Sequence, residues 1–170
     1  QLRKILAYSS IAHLGWMLLI LQFAPSLTLT ALATYLVMTS AAFLTLKANS
    51  ATTINALATS WAKAPMLTTI LPLALLSLGG LPPLTGFMPK WLILQELTKQ
   101  NLPLTATLAA LTALLSLYFY LRLSYAMTLT MAPNNTTGTT PWRLISHQAS
   151  APLSLTTALT VMLLPLTPAL

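Results

Sequence analysis

The stretch Leu75-Leu76-Ser77-Leu78-Gly79-Gly80-Leu81-Pro82-Pro83-Leu84-Thr85-Gly86-Phe87-Met88-Pro89-Lys90-Trp91 decides the fold of this chain. It lies inside a long apolar run, yet it holds three Gly, three Pro and one Lys. Gly and Pro break helices, and Lys at membrane depth is costly. Irregular backbone within a bilayer is tolerated only where protein buries it or where it lines a watery cavity. Interrupted helices place substrate or ion sites near the midplane for this reason. The stretch therefore predicts a charge-handling site inside a membrane.

Working outward, the composition fixes the class. Hydrophobic residues make up 56% and charged residues 5% of the 170 positions. Mean hydropathy is +0.77, and soluble domains carry roughly 25% charged residues. At ~20 residues per span the chain has room for about five spans plus loops. A net charge of +7 and a pI near 10.2 would point to nucleic acid in a soluble protein. Here the eight Lys and Arg are scattered singly or as one pair among apolar runs. No basic patch for nucleic acid exists, and the excess is a topology signal.

The run at 65–97 is too long for one straight span, because about 33 residues of helix reach ~50 Å against a ~30 Å core. The Gly-Gly-x-Pro-Pro-x-x-Gly break resolves this as two half-helices of one discontinuous span. The remaining spans are expected at about 5–22, 27–46, 103–126 and 151–170, in a single all-α, polytopic transmembrane unit of about five helices. The polar stretch 48–64, with Trp61, reads as a loop or an interfacial helix, and 132–150 as a turn-rich loop. Arg3, Lys4, Lys47, Lys63, Arg122 and Arg143 fall on one side and only Lys99, with Glu96 nearby, on the other. This bias puts the Arg3 side on the cytoplasmic or matrix-equivalent face and the C-terminus on the opposite one. There is no internal repeat. The chain starts at Gln1 and lacks a signal-peptide pattern, and it is expected to be a segment of a longer protein.

Few residues can carry chemistry. Lys90 lies nine helical residues from Lys99, hence ~13 Å deep. It either acts as a functional ammonium that loses and regains a proton, or snorkels to anchor a helix end. His13, nine residues beyond Lys4, is equally deep, with Ser9 at i−4 and Ser10 at i−3 on its side of the helix. That stripe could pass protons, since imidazole titrates near neutrality, or simply glue helices together. Glu96, the one acid, either pairs with Lys99 at i+3 or helps proton traffic to Lys90. Arg122 with Tyr118, Tyr120 and Tyr125 reads as an interfacial belt. Lys47 and Lys63 are most simply topology determinants, and Trp91 is packing or a cation–π wall for Lys90.

Other classes have no support. The chain has no Cys, which removes disulfides, thiolate zinc sites and the usual iron–sulfur ligation. His13 and His147 are too far apart in sequence to read as a metal or haem pair. No nucleotide-binding glycine motif occurs. Asn134-Asn135-Thr136 and Asn135-Thr136-Thr137 fit a glycosylation pattern, but on the positive face they are turn residues.

Several segments share a resemblance. Gln1-Leu2-Arg3-Lys4-Ile5-Leu6-Ala7-Tyr8-Ser9-Ser10-Ile11-Ala12-His13-Leu14-Gly15-Trp16 resembles the helix signature of the antiporter-like subunits of respiratory complex I. Leu76 to Trp91 resembles their second broken helix. Tyr118-Phe119-Tyr120-Leu121-Arg122-Leu123 and Leu163-Leu164-Pro165-Leu166-Thr167-Pro168 fit the same family, so the likeness covers essentially the whole chain.

The resemblance implies a segment of a proton pump driven by remote electron transfer. Lys90 would be the lysine of the distal channel, and His13 would belong to the central hydrophilic axis. It implies no cofactor in this chain, with NADH, flavin, iron–sulfur clusters and ubiquinone handled by other parts of the complex. The implied partners are other membrane-arm subunits and the lipid bilayer, in a hetero-oligomer. The implied location is the mitochondrial inner membrane, with the Gln1 end on the matrix side and the C-terminus facing the intermembrane space. The family's channel glutamate, first broken helix and two central lysines are expected upstream of Gln1, outside this segment, so the segment is not expected to pump alone. A free-standing cation/proton antiporter subunit and a passive membrane scaffold are the alternatives; a scaffold would tolerate Lys90→Met.

Overall fold

A computed structural model describes residues 1–60, 65–129 and 150–162. Trp61, Lys63, Asn134, Asn135, Arg143, His147 and the 163–170 tail lie outside the described residues. The chain folds into helices α1 (Leu2–Leu21), α2 (Pro25–Asn49), α3 (Ile54–Thr59), α4 (Pro65–Gly79), α5 (Phe87–Lys99), α6 (Pro103–Leu129) and α7 (Ser150–Met162). Among the described residues there is no strand. The chain is an all-α, multi-pass membrane protein.

Helices α1, α2 and α6 are long and apolar enough to cross a membrane, at 20, 25 and 27 residues. The third apolar run is broken as its glycines and prolines require: α4 stops at Gly79 and α5 starts at Phe87, with no helix between. With 15 and 13 residues, each piece reaches only ~20 Å, short of a ~30 Å core. Both pieces pack on α2 and α6, and together they take the place of one span there. The polar stretch after α2 forms only the six-residue α3, whose Thr53 side chain accepts a hydrogen bond from the Ala56 N–H.

Helices α2, α4 and α5 end with the same device. Ser50 (φ 51), Gly80 (φ 86) and Asn101 (φ 57) sit in the left-handed region. Each is followed by a residue whose N–H returns five places: Ala51 to Leu46, Leu81 to Leu76, Leu102 to Leu97. This closes carbonyls that the helix end would otherwise leave open. Ser and Thr hydroxyls along the spans donate back to carbonyls three or four residues earlier, as Thr45, Ser77, Thr112 and Ser124 do. Such bonds satisfy polar groups where lipid offers no partner.

Among the described residues two apolar cores result. One joins Leu6, Met38, Leu46, Leu71, Leu78 and Leu123, at the start of α1, the end of α2, α4 and the end of α6. The other joins Ile20, Ala31, Ile93, Leu97 and Ala106, at the opposite ends of α1, α2 and α6 and along α5. The helix break lies between them.

Candidate functional site

The break is a close approach of two backbones. A Cβ on Gly86 would land on the Ser77 carbonyl oxygen, so only glycine lets the start of α5 seat against α4. Thr85 secures the segment from the other side, its buried hydroxyl donating to the Thr160 carbonyl of α7 at 2.7 Å. Gly80 supplies the positive φ that ends α4.

That ending leaves two carbonyls over. The returning N–H groups of Gly80 and Leu81 go to Leu76 and Ser77, so Leu78 and Gly79 gain no donor from the turn. Lys90, one turn into α5, supplies it: Nζ donates to the Gly79 carbonyl at 2.7 Å and reaches that of Leu78 at 3.5 Å. Its residue is 9% exposed, so it does not snorkel. The ammonium stands at the negative end of the α4 dipole, which favours a cation. Among the described residues no carboxylate joins it. Glu96, the one acid of the chain, lies 3.7 Å from Lys99 Nζ and accepts a bond from Gln100 at 3.2 Å.

His13 approaches from α1. Its Nδ1 is 2.9 Å from the Ser9 carbonyl. A carbonyl only accepts, so Nδ1 carries the proton and Nε2 is the nitrogen free to take another. The ring stacks on Tyr35 of α2, centroids 4.9 Å apart. His13 and Lys90 both line a partly open, mainly apolar cavity of about 710 Å³ between α1 and α6, whose other polar members include Ser9, Thr112, Ser116 and Tyr120. They also share a void of about 20 Å³ with Trp16, Met38 and Gly86, room for a single water. The Ser9 hydroxyl is buried without a partner of good geometry and stands next to the Tyr120 phenol.

The structure thus brings Lys90 and His13 together and leaves Glu96 with Lys99. It departs from the sequence reading in three places. Ser10 turns away from the cavity and bonds the Ala7 carbonyl at 2.6 Å, so Ser9 alone accompanies His13. Tyr118 and Tyr125 are exposed at 65% and 58%, but Tyr120 is 5% exposed and packs on Gly79, so it is no part of an interfacial belt. Trp91 is 55% exposed and lines neither cavity, whereas Trp16 lines both. Tyr120 had a signal: Thr112, Ser116 and Tyr120 are spaced by four, a polar stripe down one side of α6. Tyr35 had none, being a lone polar ring on an apolar helix.

Comparison with known proteins gives a consistent result. Residues 1–116 match the sequence model of the NADH:quinone oxidoreductase/Mrp antiporter transmembrane family. Residues 117–170 match that of the NADH dehydrogenase subunit 2 C-terminus. The chain is 73% identical over 168 residues to NADH-ubiquinone oxidoreductase chain 2 of Tetraodon nigroviridis, covering 99% of this chain and 48% of the relative. For the chain 2 proteins of Salmo salar and Danio rerio the identities are 72% over 169 residues and 66% over 170, covering 99% and 100% of this chain and 48% and 49% of theirs. The chain spans about half the length of the curated relatives it matches.

Proposed function

The chain belongs to the NADH:quinone oxidoreductase/Mrp antiporter transmembrane family, and from that premise we propose that it is part of a membrane subunit of a respiratory NADH:ubiquinone oxidoreductase that relays protons through Lys90 and His13. The subunit sits in the mitochondrial inner membrane among other membrane-arm subunits, with the Arg3 side facing the matrix. Electron transfer takes place elsewhere in the complex, and this segment contributes proton handling alone.

The observation that carries this reading is Lys90: a buried ammonium held by backbone carbonyls at a helix break, in a cavity shared with His13. No carboxylate among the described residues pairs with it, so within this segment Lys90 gives up a proton without stranding an anion. The neutral amine keeps hydrogens for the Gly79 carbonyl, so the break stays capped in both states. His13 receives protons at Nε2, and one water in the void between the two side chains would connect them. Tyr35 holds the imidazole ring in place. Tyr120 and Ser9 add hydroxyls to the wall of the larger cavity, whose open side gives protons a way in.

The test uses the intact complex with the full-length chain. Lys90→Met, similar in length and suited to an apolar wall, is expected to lower proton-coupled turnover by ~10-fold or more while assembly persists. Lys90→Arg is expected to fail as well, because a guanidinium keeps its proton. Wild-type pumping by both variants would make Lys90 an anchor and overturn the proposal. The family also includes Mrp antiporters, but the match of residues 117–170 and the identity to chain 2 relatives favour the respiratory reading.

A further inference from the structure

A second cleft lies far from Lys90, where the Arg3 end of α1 meets the Lys47 end of α2. The left-handed turn at Ser50 reverses the chain after α2, and the Leu2 N–H donates to the Thr52 carbonyl at 3.2 Å. That bond docks α1 against the turn and sets Arg3 and Lys47 on the wall of one cavity of about 360 Å³, with Ser50 and Thr52 beside them. Phe43 and Leu46 form its apolar floor.

The charge balance of this cleft is open. Two cations face one space, and like charges so placed repel. The chain has one acidic residue, Glu96, and it is engaged by Lys99 and Gln100. Among the described residues no carboxylate therefore neutralises Arg3 and Lys47.

We propose that the cleft binds the phosphate of an acidic phospholipid. The α2 surface below it carries the argument from anion to lipid. Lys47, Phe43, Leu36, Leu32 and Leu29 lie within ~60° of one helix face at 100° per residue. The four apolar members are exposed, at 52%, 57%, 38% and 67% respectively. They form a row ~21 Å long running from the cleft along the span, enough for an acyl chain in one ~15 Å leaflet. A free anion would use the cations but not the row. Arg3 and Lys47 also fall on the side where basic residues concentrate, the face that meets anionic headgroups.

The test is photolabelling of the complete protein in its complex, in nanodiscs containing photoactivatable phosphatidylglycerol or photoactivatable phosphatidylcholine. The acidic probe is expected to label residues 43–52 preferentially, and Arg3→Gln and Lys47→Gln to lower that labelling about fivefold each. The charge-preserving pair Arg3→Lys and Lys47→Arg should retain it, and Lys99→Gln should leave it unchanged. Equal labelling by the two lipids would overturn the proposal. So would displacement of the acidic probe by inorganic phosphate, which would mean a free-anion site. A zero-length cross-link joining Lys47 to a carboxylate of a neighbouring subunit, with no acidic-lipid labelling, would overturn it in favour of a protein partner.

Discussion

Helices α4 and α5 end with the same backbone turn, and each has a lysine close by, yet the two lysines do opposite things. After α5, Asn101 takes the left-handed position, and Lys99 points outward, its side chain 62% exposed and paired with Glu96. After α4, Gly80 takes that position, and Lys90 arrives from the next helix, buried and bonded to the Gly79 carbonyl. At the α5 end the last carbonyls can meet water, and the lysine is free to join a surface pair. At the α4 end they lie between two apolar cores, where an unpaired carbonyl is costly. The ammonium fills that role. The same termination is therefore a surface cap in one place and a cation site in the other, and the environment makes the difference.

The comparison breaks most severely at Gly86. Its φ of −65 suits any residue, so the demand for glycine is purely steric: a Cβ would meet the Ser77 carbonyl oxygen and stand 3.2 Å from Met38 Sδ. This backbone oxygen, in the last turn of α4 and bonded by the Gly80 N–H, cannot swing aside. Gly86→Ala is expected to destabilise by about 3 kcal/mol or more, at the upper end of overpacking effects. Native-gel assembly of the full-length protein should fall sharply. Gly15→Ala, with nothing within 4 Å of its new Cβ, should assemble normally.

Gly80→Ala sharpens the comparison at smaller cost. The positive φ imposes roughly 1–2 kcal/mol on an L residue. The new Cβ would also stand 3.0 Å from both Cδ and Nζ of Lys90. A flexible side chain can yield, but only by leaving the Gly79 carbonyl. Proton-coupled turnover should therefore drop several-fold, ~3 to 10, for a strain that leaves assembly intact. Retained turnover with lowered thermal stability would show that capping by Lys90 is dispensable.

How much of this was legible beforehand follows the same division. The break, the burial of Lys90 and the placing of His13 beside it stood out because each violates a local rule: breakers and ionisable groups in apolar runs. The surface pairing of Glu96 with Lys99 followed from their spacing alone. What failed was the assignment of facing. Ser9 and Ser10 both sit near His13 on a helical wheel, and only the burial of Ser9 within the bundle separates them. Tyr120 was grouped with Tyr118 and Tyr125 because aromatics beside Arg122 look interfacial, although its four-residue spacing from Ser116 pointed inward. The stack of His13 on Tyr35 joins two helices and leaves no trace along either. Along the sequence Arg3 and Lys47 carry only a topology signal, since they are more than forty residues apart.

The smallest effect is expected at Lys99. An exposed ion pair is worth about 0–1 kcal/mol, and Gln100 continues to hold Glu96 after Lys99→Gln. The melting temperature of the complex and its proton-coupled turnover should both stay close to wild type. This substitution nonetheless tests the division hardest, because it frees one oxygen of the only carboxylate in the chain. Should Lys99→Gln depress turnover as much as Gly80→Ala does, while thermal stability holds, the pair would be regulating Glu96 rather than decorating a surface. Glu96 would then take part in proton traffic toward Lys90, and the contrast between a surface lysine and a working one would fail.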